Sequence, residues 1–61
     1  MIGKRYQHHR NNVIYTVTQI VPIKLGKVWS ESVVYLSPEG EYWSRPIDNF
    51  LEKFAEVKNN N

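Results

Sequence analysis

The chain has 61 residues, a net charge of +2 and no cysteine. One domain is the limit at this length, and its margin is thin, because so short a chain buries only about 60% of its unfolded surface. A disulfide framework and a thiolate metal site are excluded, and no apolar run approaches the roughly 20 residues that span a bilayer.

Met1-Ile-Gly-Lys-Arg5 carries no apolar stretch after its charges, so no secretory signal is expected. Residues 4–9 read as a first strand, with Tyr6 and His8 on one face and Arg5, Gln7 and His9 on the other. Arg10-Asn11-Asn12 follows as a tight turn, since asparagine tolerates the positive φ that hairpin loops require. Residues 13–21 carry the clearest strand signal. Val13, Tyr15 and Val17 alternate there with Ile14, Thr16 and Thr18, in residue types that suit a pleated surface. The alternation breaks at Gln19-Ile20, where a β-bulge would return Ile20 to the core face.

Residues 22–27 read as a connection, with Gly26 its left-handed residue, and residues 28–36 as another strand. Ser37-Pro38-Glu39-Gly40 suits a type I turn. Residues 42–45 return as a strand. Arg45-Pro46 then ends ladder pairing, because proline lacks the N–H and its fixed φ suits the first turn of a helix. Ile47, Phe50, Leu51 and Phe54 recur at i, i+3, i+4 and i+7, which predicts a helix over residues 47–57.

These elements predict a mainly β fold: an antiparallel meander of about four strands, capped by a short C-terminal helix. So small a sheet avoids open edges by curling, which makes a small SH3-like barrel the expected architecture. The domain is expected over residues 1–57, with residues 58–61 a disordered tail. Tyr15, Val17, Trp43, Phe50 and Leu51 are the expected shared core.

Two segments carry a family resemblance. Gly3-Lys-Arg-Tyr-Gln-His-His-Arg-Asn-Asn-Val-Ile-Tyr-Thr-Val17 resembles the opening of the domain-of-unknown-function 1653 family, with its Tyr-x-His, basic-polar turn and Tyr-x-Val strand. Val33-Val-Tyr35, then Gly40, Trp43, Arg45-Pro46 and Phe50-Leu-Glu52, resembles the family's closing half. The resemblance implies an SH3-like barrel of bacteria and their phages, and it implies no activity.

Charge is unevenly spread. Lys4, Arg5, Arg10, Lys24 and Lys27 precede the first acid, Glu31, while Glu39, Glu41, Asp48, Glu52 and Glu56 share the second half with Arg45, Lys53 and Lys58. This asymmetry suits either two halves whose charges complement each other or an anionic partner.

Several residues invite a functional reading. His8 and His9 are adjacent on a strand and point to opposite faces, so they do not make a metal site, which needs three or four ligands. Arg45, beside Trp43, reads either as an anion-binding guanidinium or as a structural arginine. In the second case it stacks on an aromatic ring and pairs with Glu41, Asp48 or Glu52.

Tyr35 and Tyr42 flank the Pro38 turn. With Trp29 and Arg45 they form the expected surface for a protein partner, unless the rings are core. The alternative is nucleic-acid binding through the acid-free hairpin, using Lys4, Arg5, His9, Arg10, Lys24 and Lys27. A self-associating barrel holding a small anion around Arg45 is a third reading.

No catalytic motif or glycine-rich phosphate loop is present, so neither enzymatic activity nor a cofactor is expected. The sequence thus predicts a non-catalytic interaction module with no membrane partner. Its expected place is the cytoplasm, the host's if the chain is phage-encoded.

Overall fold

The computed structural model describes residues 1–58. The tail expected at residues 59–61 lies outside them, and Lys58 is exposed without regular structure. In chain order the elements are β1 (Arg5–His8), β2 (Ile14–Leu25), β3 (Val28–Leu36), β4 (Tyr42–Pro46), α1 (Ile47–Lys53) and β5 (Phe54–Glu56). All five strands pair antiparallel in one sheet of order β4-β3-β2-β1-β5. The fold is therefore mainly β with one short helix. Among the described residues no ladder joins β4 to β5, the two edges. Helix α1 packs on β3, β4 and β5 and carries the chain from one edge of the sheet to the other.

Local chemistry fixes the turns. Asn12 adopts φ 60°, and the Asn11 side-chain oxygen accepts the Val13 N–H at 2.9 Å, so the β1–β2 turn is held by its two asparagines. The β3–β4 turn closes with Gly40 N–H donating to the Ser37 carbonyl at 3.0 Å, and Gly40 sits at φ +87° where a Cβ would be strained. Thr18 is the extra residue of a bulge between Val17 and Gln19, one position earlier than the sequence pattern suggests. Its hydroxyl donates to the Val34 carbonyl at 3.2 Å. The bulge resets the alternation, so that Ile20 lies opposite the fully buried Val33.

The expected connection over residues 22–27 is mostly strand. β2 runs on to Leu25, and Gly26-Lys27 alone turns the chain. Gly26 has φ +64° and Lys27 does not, the pattern of a type II′ hairpin turn with glycine at its first central place. Counting outward from the Leu25–Val28 pair, Pro22 falls opposite Glu31 in a non-hydrogen-bonded pair. Its missing N–H therefore faces a free edge, the one place in a ladder where proline costs nothing.

The core comprises Tyr6, Val17, Val33, Tyr35, Phe50 and Phe54, with Tyr15, Ile47 and Met1 packed against it. Phe50 and Phe54 stack at 4.2 Å between centroids, and Tyr6 and Tyr35 meet them at 5.1 to 5.3 Å. Two expected core residues lie outside: Trp43 and Leu51 are each 53% exposed. Trp43 sits on the edge strand, with no neighbour beyond it. Leu51 follows Phe50 in a helix whose 100° step turns it away from the sheet. The helix also ends early. Phe54, at φ −125° and ψ 149°, opens β5, and its stacking on Phe50 comes from a strand residue rather than a helical one.

Candidate functional site

Three elements meet at one end of β1. His8 closes β1 with its ring turned inward, edge-on to Phe54 at 4.6 Å. Its Nδ1 accepts the Arg10 N–H at 3.0 Å, which leaves the ring proton on Nε2. His9 points outward into solvent, and its N–H donates to the Lys53 carbonyl at 3.0 Å, tying the β1–β2 turn to the end of α1. Arg45 rises from β4 beneath both.

The result is a cleft of about 460 Å³ lined by His8, His9, Arg10, Arg45, Glu52 and Lys53. A smaller hollow of about 170 Å³ continues it, sharing His8 and Arg45 and adding Tyr15, Tyr35, Trp43 and Phe54. One end thus carries three cations, Arg10, Arg45 and Lys53, against one acid, Glu52, and the other is aromatic.

Arg45 is half-buried and held in place. Its Nε donates to the Tyr35 hydroxyl and its Nη1 to the Asn49 side-chain oxygen, both at 2.8 Å. Its guanidinium lies 5.7 Å from the centre of the Phe54 ring. The structural role expected of it is present, since it does staple α1 to the sheet over an aromatic ring. The partner differs: Asn49, not Glu41, Asp48 or Glu52. Both hydrogen-bond partners are neutral, so the cation is oriented without being neutralised. A guanidinium has five N–H groups, so three remain for a ligand.

His8 reports the local field. Burial lowers its pKa below 6.5, and Arg45, His9, Arg10 and Lys53 lower it further by repulsion. The groups that act on His8 by charge are all basic side chains.

The sequence-predicted sites are dispersed. Of the protein-binding set, Tyr35 is core and reaches the cleft only through its hydroxyl. Trp29 and Tyr42, each 66% exposed, lie at opposite ends of the β3 ladder: Trp29 pairs with Lys24, and Tyr42 with Leu36. At about 3.3 Å per residue they are roughly 20 Å apart, so the platform expected of Trp29, Tyr35 and Tyr42 does not assemble.

The nucleic-acid set divides among three places. His9 and Arg10 line the cleft. Lys4 and Arg5 line a separate hollow with Glu56 and Lys58. Lys24 and Lys27 stand at the far end of the β2–β3 hairpin.

His8, Trp43 and Lys53 complete the cleft, Asn49 braces its arginine, and none of the four was singled out from sequence for that place. The four-residue step from Arg45 to Asn49 is a strand-to-helix junction, whose geometry no periodicity describes.

Among the described residues no group of three or more His, Cys, Asp or Glu side chains is placed to hold a metal ion. Among the described residues no helix is long and apolar enough to cross a membrane. No protein-family model matches the chain, no curated protein matches it, and no solved structure matches it.

Proposed function

We propose that the protein is a non-catalytic interaction module whose cleft takes an extended, acidic segment of a protein partner. The observation that carries this reading is Arg45: a half-buried guanidinium, fixed by two neutral partners, with donors to spare. A carboxylate is a natural complement, because charge-assisted bonds to a pre-oriented arginine fork are among the strong ones. Arg10 and Lys53 add positive charge at the mouth. Trp43, half exposed beside Arg45, offers an apolar face for the residue next to the acid.

Nucleic acid is the weaker reading. Its six candidate residues sit in three separate places, whereas backbone phosphates favour a continuous cationic track. The family resemblance adds the suggestion of a bacterial or phage accessory protein acting in the cytoplasm.

A fluorescein-labelled oligoglutamate peptide and a single-stranded oligonucleotide of equal charge test this reading. The peptide should bind, and Arg45→Gln should weaken it about thirtyfold, near 2 kcal/mol. Because Arg45 also braces α1, the exposed pair Arg10→Gln and Lys53→Gln provides the control that leaves the fold intact. Those two changes should together weaken the peptide at least tenfold. Equal peptide binding by all variants, or preference for the oligonucleotide, refutes the proposal.

A further inference from the structure

The β2–β3 hairpin outruns the sheet. β1 covers β2 only over Ile14–Thr16, and β4 covers β3 only over Ser32–Leu36. From Pro22 to Leu25, and back from Val28 to Glu31, the two strands pair with each other alone, and the molecule is elongated, with extents of 43 × 22 × 21 Å. At about 3.3 Å per residue this arm is roughly 13 Å long.

Its tip is apolar on both faces. Leu25 and Val28 face each other on one side, and Trp29 lies on the opposite side; each is 66% exposed. Lys24 reaches over Trp29, its Nζ 5.8 Å from the ring centre, and Lys27 occupies the turn. The arm's acid is Glu31, opposite Pro22, on the same face as Trp29 and two residues further from the tip.

We infer that this tip is a docking element for an anionic lipid surface. The arm's outer face offers little more than roughly 100 Å², about 13 Å by one hairpin's width of about 10 Å, far below the about 800 Å² per partner of a stable protein interface. That counts against a second copy of the chain seated on the arm. A rigid protein partner would also cover one face of the ribbon and leave the other apolar face in water. The headgroup–acyl boundary contacts both faces at once.

Tryptophan favours that boundary, and lysine stems let their ammonium groups stay at headgroup level while the chain beside them is buried. Two lysines, against the single acid Glu31, supply the attraction to anionic headgroups. Peripheral contact of this kind needs no spanning segment.

Vesicle flotation tests the inference, using vesicles of pure phosphatidylcholine and of equal parts phosphatidylcholine and phosphatidylserine. The protein should float with the mixed vesicles and far less with the neutral ones. Lys24→Gln and Lys27→Gln should each weaken capture about fivefold, corresponding to about 1 kcal/mol per lysine near the surface. Trp29→Ser should abolish capture while leaving the melting temperature unchanged, because Trp29 touches no core residue.

In a Trp43→Phe background, the Trp29 emission should shift to the blue on adding mixed vesicles. Arg45→Gln should leave flotation unaltered, which separates this site from the cleft. Absence of capture by the mixed vesicles overturns the inference. So does capture that survives Trp29→Ser, or binding of duplex DNA through the same three residues without binding vesicles.

Discussion

Tyr35 and Trp43 face one another across β3 and β4, yet Tyr35 is 4% exposed and Trp43 is 53% exposed. The difference is position in the sheet. Tyr35 has β2 on its far side and Phe50 and Phe54 above it, whereas Trp43 has only the rim of the cleft. Residue type alone therefore misleads, since tryptophan is the larger apolar group. Phe50→Ala should cost about 3–5 kcal/mol, because a fully buried ring leaves a cavity, and Trp43→Ala should cost less than about 1 kcal/mol. Urea titrations of the two variants check this, and equal losses would place Trp43 back in the core. His8 makes a second residue-scale case. Its native pKa lies below the ordinary 6.5, so on acidification the unfolded chain takes up the proton first. Its contribution to stability is complete above that value and is lost as pH falls through it. Stability should therefore decline as pH falls below about 6.5, and His8→Phe, which keeps a ring against Phe54 but cannot titrate, should flatten that limb. A wild-type urea midpoint that stays constant over this range would contradict the burial of a neutral His8.

At the scale of elements, regular alternation was readable and breaks in it were only partly so. β3 matches its expected bounds, and the three turns fall where asparagine, glycine and proline place them. The far half of β2 was hidden by Pro22, which normally marks a strand's end but here faces a free edge. β5 was hidden differently. It is three residues long, and Phe54 satisfies a helical i+7 spacing while belonging to a strand. The hydrogen-bond pattern of the arm yields a test of its register. Val21, Ile23 and Ser30 lie in hydrogen-bonded pairs counted from the Leu25–Val28 closure, while Ile20, Lys24, Trp29 and Glu31 direct their N–H groups outward. Amide exchange followed by NMR should show the first three slower than the last four. The opposite alternation would mean a register shifted by one residue, which would also carry Ile20 off the core face.

For the molecule as a whole, the sequence contained the ingredients of the cleft but not their assembly. Arg45 and Trp43 stood out as a pair, and Tyr6 and His8 as an inward-facing one. What joins them is the passage of the chain through α1 to the far edge of the sheet, where β5 lies beside β1 and Phe54 comes to sit under both His8 and Arg45. That closure depends on long-range pairing, which composition and local period do not encode. The same topology divides the molecule into a cored half and an arm. None of the six core residues lies between Ile20 and Ser32, so the arm should be dispensable for folding. Val21 and Ser32 form a hydrogen-bonded pair, the kind that a two-residue Asn-Gly turn closes. Replacing residues 22–31 by Asn-Gly keeps that pair and the Ile20–Val33 contact behind it. The shortened chain should unfold cooperatively, with a free energy within about 1 kcal/mol of the parent, since apart from the half-buried Ile23 and Ser30 it loses only exposed side chains and their ladder. It should still bind the acidic peptide through Arg45 and should no longer float with anionic vesicles. Calorimetry, peptide anisotropy and flotation on this single variant read the three properties apart. A variant that does not fold would show that the arm stabilises the cored half after all, and that the exposed Leu25, Val28 and Trp29 contribute to the fold rather than to a surface.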